Sequence, residues 1–383
     1  MRTIRLTGLC RVVIIATLLC TALVATGCSV GYLLHAASGQ LRLIWNAVPI
    51  QEAWDDPALT GPRMDRLLMI ARIKAFGEDR LGLRRTGSYS TVNTRFSRGT
   101  IYTVSAAPKD RLEPFTWWFP VVGDMPYLGF FDLNRAREEA QRLSEKGLDV
   151  FLGRSVAYST LGWFKDPVTL NLLDMQPDEL ADTILHELTH ATLYVKGMGE
   201  FNESFAVLVG RVGALRFMEE TFGHDHPWTA RARDALHDER LFSRFLGLLL
   251  HRLENLYARP LPPEVKLSER EAIFRKALKD FSHLKTRLRT PAFHYFENLP
   301  LNNATLLAVG LYHRRFSLLD AVLEAHDGDL RKTIGFFVGL CKREKDPLGA
   351  AKKWLEQLPA PVGKGLFHPS PAGWGKVPSA RNF

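Results

Sequence analysis

The residues best suited to catalysis lie in the middle of the 383-residue chain, in the motif His186-Glu187-x-x-His190. Residues four apart on a helix lie on one face, one turn apart, so both imidazoles can reach a single metal ion. Glu187 lies beside the first histidine, near enough to polarise a water molecule on that metal. The spacing therefore predicts a zinc-binding helix, with Glu187 as the general base.

The motif requires a helix, and its flanking residues predict one. Leu180, Ile184, Leu188 and Val195 recur at a helical period and predict a buried stripe. Residues 177–179, Pro-Asp-Glu, suit the start of a helix. Taken alone, the motif is also compatible with ordinary core or surface histidines that have an acidic neighbour.

The segment after the motif predicts a third ligand. Gly197 and Gly199 interrupt the helix, and Glu203 follows four residues later, in the first turn of a returning helix. Two helices joined by a short turn form an antiparallel hairpin, which brings Glu203 close to His190. Two histidines and one carboxylate, with a fourth position left to water, match a catalytic zinc site.

Small residues follow Glu203 along the same helix. Ala206, Gly210 and Gly213 continue the stripe at spacings of three, four and three, which lets two helices approach closely with Glu203 facing the partner. A buried carboxylate there needs a cation or several donors. The alternatives are that Glu203 only stabilises the helix dipole, or that Glu200 is the ligand.

Several longer motifs resemble the bacterial putative aminopeptidase family, which are lipoproteins with a gluzincin-type His-Glu-x-x-His site. The resemblance covers roughly residues 28–345 and implies a zinc peptidase that acts on peptides with Zn²⁺ as its cofactor. Phe130 stands where a tyrosine is expected in the family's pattern, which argues against a ring hydroxyl acting there. Besides the zinc motif, the matching segments are Gly39-Gln40, Trp118–Gly123, Gly129–Phe131, Ala157–Phe164, Asp166-Pro167, Phe201–Ala206 and Leu301–Ala304.

The sequence leaves more than one role open for several other polar residues. Tyr158, upstream of the zinc helix, is a candidate to donate its hydroxyl to a tetrahedral oxyanion, and the alternative is a partly buried strand tyrosine. Asn202 and Asn302 are either donors that support the ligands or plain helix caps. An aminopeptidase must also hold a free amino terminus, and the sequence does not select among the acids near the motif. These acids are Asp166, Asp178, Glu179, Asp182 and Glu200.

The N-terminus predicts export and lipidation. Three arginines lie within the first eleven residues, and the apolar stretch Val12–Ala25 follows. The sequence Gly27-Cys28 after such a stretch resembles a bacterial lipobox, so residues 1–27 would be a signal peptide and Cys28 the lipidated first residue. Ser29 after the cysteine favours the outer membrane, with the body in the periplasm of the cell envelope. An uncleaved signal anchor is the alternative.

Composition narrows the classes of protein. The chain is 46% hydrophobic, 24% charged and 10% aromatic, which is typical of a globular protein. Its formal net charge of +9 falls to +6 without the three leader arginines, and no dense basic block is present. Nucleic acid is therefore not an expected partner. Of four cysteines, two lie in the leader, so no disulfide framework is expected.

The pattern of elements predicts an α+β fold that is predominantly α-helical. A small antiparallel sheet at about 85–165 precedes a zincin-like helical body at about 177–358, all in one zinc-peptidase domain over 28–358, and a flexible tail follows over 359–383. Before residue 165 we expect helices at 30–48, 64–76 and 133–146 and strands at 88–96, 100–105, 115–122 and 150–159, with a hairpin at Arg98-Gly99. From Pro177 onward we expect helices at 178–196, 201–221, 229–257, 264–287, 302–324, 329–343 and 347–357.

Two other functions fit the same residues. One is a zinc endopeptidase of the cell envelope, which would cleave peptides with blocked termini as well. The other is a tethered binding or assembly lipoprotein with a vestigial metal site. The intact Glu187 argues against the second, because a purely structural metal site needs no general base.

Overall fold

The structure is a computed structural model that describes residues 45–95, 101–119, 123–155 and 165–359. Most of these residues are helical, and the strands are short. The strands are β1 (Val48–Pro49), β2 (Thr91–Asn93), β3 (Ile101–Ala107), β4 (Trp117–Phe119), β5 (Gly123–Met125), β6 (Leu128–Phe130), β7 (Asp149–Ser155) and β8 (Val168–Thr169). The helices are α1 (Pro62–Asp79), α2 (Leu133–Glu145), α3 (Leu170–Leu173), α4 (Pro177–Thr192), α5 (Gly199–Phe222), α6 (Pro227–Tyr257), α7 (Pro263–Lys285), α8 (Asn303–His313), α9 (Phe316–Ala325), α10 (Leu330–Arg343) and α11 (Pro347–Glu356).

The strands form three small sheets. β3 lies between β6 and β7 and is antiparallel to both. β2 pairs with β1 in antiparallel fashion and with β8 in parallel, and β4 and β5 form a hairpin. The hairpin predicted at Arg98-Gly99 lies outside the described residues, and the described strands on either side of it, β2 and β3, belong to different sheets. Local composition predicts a strand but does not choose its partner.

Helix α5 is the central element of the helical body. Most of its residues are buried, and it packs against α4, α6, α8, α9 and α10. A helix that is apolar on nearly all sides belongs in the middle of a core. The α+β, predominantly helical class predicted from the sequence is confirmed.

One predicted helix, at 302–324, is two helices in the structure. The chain turns between α8 and α9 at Arg314 and Arg315. Both guanidinium groups pair with Glu200, at 2.9 and 2.8 Å, and Arg314 also pairs with Glu254. These ion pairs hold the turn.

A buried polar cluster fastens the β3–β6–β7 sheet to the helices. Asp149, at the start of β7, accepts hydrogen bonds from the Asn303 backbone at 3.0 Å and from Arg270 Nη1 at 2.7 Å. The Asn302 side chain accepts from the Thr305 backbone at 2.8 Å and donates to a β7 carbonyl at 3.1 Å. Asn302 is therefore a helix cap that also holds the sheet, which resolves its two alternatives.

Some predictions fall outside the described residues. These are the signal peptide, Cys28, Tyr158 and the tail beyond residue 359. The structure places Val48 in β1, so the helix predicted at 30–48 does not include it. Among the described helices, none has the length and apolar character needed to cross a membrane. The assignment of one domain stays a prediction.

Candidate active site

Helix α4 carries the motif. It begins at Pro177, whose missing N–H costs nothing in the first turn, and two acids in that turn complement the helix dipole. One face enters the main core, while His186 and Glu187 remain partly exposed and His190 is buried. The apolar residues on the core face are Leu180, Ala181, Ile184, Leu185 and Leu188. Burial of this face fixes the rotation of α4 and therefore the direction of the motif.

Three side chains from two helices converge beside that face. The Nε2 atoms of His186 and His190 lie 3.2 Å apart. Glu203 Oε2, from the first turns of α5, lies 3.3 Å from His186 Nε2 and 3.6 Å from His190 Nε2. Within the described part of the chain, these three residues form the group that could hold a metal ion. Glu200, the competing candidate, is instead paired with the two arginines that follow α8.

Two glycines of α5 allow this convergence. A Cβ at Gly210 would lie 2.3 Å from Asp182 Oδ1 and 2.9 Å from the Asp182 carbonyl oxygen. A Cβ at Gly213 would lie 2.7 Å from Leu185 Cδ1. Because neither glycine has a side chain, α4 and α5 pack closely enough for Glu203 to reach the histidines.

The turn between α4 and α5 is fixed by Asn202. Its Oδ1 accepts a hydrogen bond from the Val195 N–H, and its Nδ2 donates to the Val195 carbonyl, both at 2.8 Å. Gly197 has a φ of 78°, which a residue with a side chain rarely adopts. Asn202 therefore closes the loop, and this fixes the start of the helix that carries Glu203.

The three side chains create a site that favours positive charge. Burial alone would raise the pKa of Glu203, but the adjacent His190 and His186 hold it well below its ordinary value. Burial disfavours a charged His186, but the hydrogen bond to Glu203 and the charges of Glu187 and Glu203 raise its pKa overall. The carboxylates thus generate a negative potential where the two imidazoles meet.

Glu187 brings a further carboxylate to the site. Its Oε2 is buried and has no hydrogen-bond partner among the described residues. A buried acceptor without a partner is costly, so it indicates a position where a water or a substrate proton is received. This environment suits a general base.

Tyr312, at the end of α8, also lies at the site. Its ring centroid is 6.4 Å from that of His186, with the two planes 29° apart. The charge of Glu203, together with burial, raises its pKa well above the ordinary value, so its hydroxyl stays protonated and can donate. Sequence reasoning missed Tyr312, because only the packing of α8 against α5 brings it there. The one available signal was a polar run, Tyr-His-Arg-Arg, at the end of an apolar helix.

A second charged cluster, Asp182–Arg211–Glu239, adjoins the site. Arg211 Nη1 donates to Asp182 Oδ2 at 2.6 Å, and Arg211 Nε lies 3.6 Å from Glu239 Oε2. Glu239 is fully buried, and its other oxygen lies 2.6 Å from His313 Nδ1. Asp182 precedes His186 by one helical turn, so this cluster abuts the histidine pair.

Other acids that the sequence left open are engaged elsewhere. Asp178 and Glu179 pair with Arg231 at 2.9 and 3.0 Å. Asp166 is buried near β8, where its backbone bonds to Ser88 and Tyr89. Asp182 is the acid of this set whose charge acts on a candidate metal ligand, His186.

Taken together, fold and site define a helical α+β protein in which a His-Glu-x-x-His helix and a facing glutamate could hold a metal ion. The model of the family described as "Putative aminopeptidase" matches residues 31–347, so this chain belongs to that family. Neither the curated proteins nor the solved structures include a significant match. The family resemblance read from the sequence is confirmed, and it indicates a peptidase.

Proposed function

We propose that this protein is a zinc-dependent aminopeptidase, with zinc held by His186, His190 and Glu203. The observation that carries the proposal is the size of the donor triangle. Ligand atoms 2.0–2.2 Å from zinc at tetrahedral corners lie about 3.3–3.6 Å apart. The three edges here are 3.2, 3.3 and 3.6 Å. Such a set leaves a fourth position for water, as catalytic zinc requires.

Zinc, when bound, supplies a Lewis acid that polarises the substrate carbonyl and makes water a better nucleophile. Glu187 accepts a proton from the attacking water and delivers it to the nitrogen of the leaving amine. The Tyr312 hydroxyl donates a hydrogen bond to the carbonyl oxygen as negative charge develops on it. No covalent bond between enzyme and substrate is needed.

The leader sequence supports a location for this activity. A lipid attached to Cys28 would tether the catalytic body to the bacterial cell envelope, at the outer membrane and facing the periplasm. Labelling cells with a radioactive fatty acid tests this. We expect label in the wild-type chain and none in Cys28→Ala, and label in neither would leave the anchor without support.

The peptidase is tested on the full-length chain purified in detergent. We expect about one zinc per chain and release of amino acids from free peptides but not from N-acetylated ones. Glu187→Gln should retain zinc and lose about 10²- to 10⁴-fold of the turnover. Glu179→Gln is the matched control, because this acid lies on the same helix in a surface pair with Arg231. This variant should retain both the bound zinc and the turnover.

Other outcomes select other functions. Cleavage of N-acetylated peptides as well would indicate an endopeptidase. Zinc without turnover on a broad peptide set would favour the tethered binding protein. Absence of bound zinc would contradict the proposal itself.

A further inference from the structure

The Asp182–Arg211–Glu239 cluster contains polar atoms that make no hydrogen bond, although two of them face each other at 3.6 Å. Arg211 Nε and Glu239 Oε2 are both buried and have no hydrogen-bond partner among the described residues. The side chains of Arg211 and Asp182 are nevertheless 22% and 20% exposed, so the cluster is in contact with solvent. His186, one turn further along α4, is also partly exposed, so both groups can be reached from solvent.

The combined charge of the two sites is unbalanced. Four carboxylates lie together, from Asp182, Glu187, Glu203 and Glu239, while Arg211 is the arginine that pairs with two of them. A divalent ion and one guanidinium balance three of these negative charges. Negative charge that is poorly solvated needs a cation, so the cleft is suited to a substrate that carries one.

Asp182 is the acid placed to receive that cation. Its Oδ2 accepts from Arg211, while Oδ1 lies against Gly210 of α5 and accepts no hydrogen bond from the described residues. An ionised carboxylate has about four acceptor positions, so most of its capacity is unused. Arg211 is itself held by the buried Glu239, which keeps Asp182 in one orientation.

The position along α4 also fits a terminal amine. Asp182 and His186 are four residues apart, so they are separated by about 6 Å of helical rise on one face. In a peptide the α-amino nitrogen is bonded to the carbon next to the first carbonyl. When that carbonyl lies at the metal, the ammonium falls within about one helical turn of it.

We infer that Asp182 binds the free α-ammonium group of the substrate and that this contact makes the enzyme an aminopeptidase. The inference rests on the proposed function, because the metal site fixes where the first carbonyl lies. Arg211 and Glu239 act through Asp182 and are positioning residues.

The test measures binding without cleavage. The probe is trialanine whose first amide is replaced by a ketomethylene group, in a free form and an N-acetylated form, titrated calorimetrically at pH 7 into the zinc-loaded full-length chain. We expect the free form to bind about 10- to 100-fold more tightly, the range for a charged hydrogen bond. Asp182→Asn should abolish this preference without weakening the acetylated form. Glu179→Gln, on the same helix, should preserve it.

Three results would overturn the inference. One is an equal loss of affinity for both probes in Asp182→Asn, together with an altered zinc content, which would indicate a structural role for Asp182. Another is a preference that survives the substitution. The third is an N-acetylated probe with lysine in the first position that binds like the free form and depends on Asp182, which would indicate a pocket for a lysine side chain.

Kinetics separate this inference from the proposed function. In an active enzyme, Asp182→Asn should raise KM for free peptides about 10- to 100-fold, with a smaller change in kcat. Turnover without a preference for the free amine would overturn the inference and leave the zinc peptidase standing. A preference for the free amine without any turnover would sustain the binding site and contradict the proposed peptidase.

Discussion

Replacing Gly210 with alanine tests whether the close approach of α4 and α5 builds the candidate metal site. The new Cβ would lie 2.9 Å from the Asp182 carbonyl oxygen, a backbone atom that cannot rotate away. Relief to an ordinary contact of 3.4 Å requires the two helices to separate by about 0.5 Å at this level. Glu203 lies on α5 two turns before Gly210, so this separation stretches its contacts with the histidines.

The expected magnitude follows from two opposing effects. Overpacking a close contact costs about 1–3 kcal/mol. Alanine in place of glycine in a helix interior contributes about 0.8–1 kcal/mol of stability. We therefore expect a net loss of about 1 kcal/mol, or a fall of about 1–2 °C in Tm. Because the donor atoms are displaced, zinc affinity should fall about 10- to 100-fold, as it does when residues that orient ligands are changed.

The assay is competition for zinc with a chromophoric chelator, together with thermal melting of the metal-free chain. Gly335→Ala is the matched control, because this glycine is exposed in α10 and a Cβ there would meet nothing within 4 Å. That variant should be slightly more stable and bind zinc normally. If Gly210→Ala behaved like Gly335→Ala in both measurements, helix separation would not control the site and the reasoning would be wrong.

Three further changes probe the hydroxyl, the metal and the sheet. Tyr312→Phe should retain zinc and the ring contact with His186 but lose about 10²- to 10³-fold in kcat, and unchanged steady-state kinetics would exclude the hydroxyl from catalysis. Removing zinc from the full-length chain with a chelator should lower the calorimetric Tm, since zinc at 100 times its Kd stabilises by about 2.7 kcal/mol, and an unchanged Tm would contradict binding to the folded chain. Asp149→Ala removes the buried partner of Arg270, which keeps the exposed Glu271 and a backbone carbonyl, and should cost about 3 kcal/mol in urea unfolding, against less than about 1 kcal/mol for Asp280→Ala in a more exposed pair. Equal losses in these two variants would show that the Asp149 cluster does not fasten the sheet.

Most helices could be predicted because their signals are local. Apolar periodicity, proline in a first turn and a glycine after a last turn set the bounds of α4 and α5 to within a few residues. The pairing of β2 with β8, and of β3 with β7, could not be predicted in this way. It depends on which sheet edge is available after the helices have packed, which the composition of a strand does not encode.

The residues of the candidate site also fall into two groups, those that local spacing predicts and those that only helix packing brings together. His186, Glu187, His190 and Glu203 lie on one helical hairpin, so spacing alone brought them together. Tyr312 lies on α8, and the arginine and buried glutamate beside Asp182 lie on α5 and α6. An apolar stripe shows that a helix is buried but does not identify the helices beside it, so these residues could not be placed from the sequence.

The two helices that complete the site share one set of ion pairs. Glu200 lies in the first turn of α5, three residues before Glu203, and it binds both Arg314 and Arg315, which come two and three residues after Tyr312. The Glu200 carboxylate therefore helps to position both groups. It acts on Glu203 through α5 and on Tyr312 through the end of α8. A displacement at Glu200 would move both groups, whereas the histidines are held separately by the core face of α4. The distance between the metal ligands and the hydroxyl thus depends on how α5 packs against α4, and this is the contact that the missing side chain of Gly210 allows.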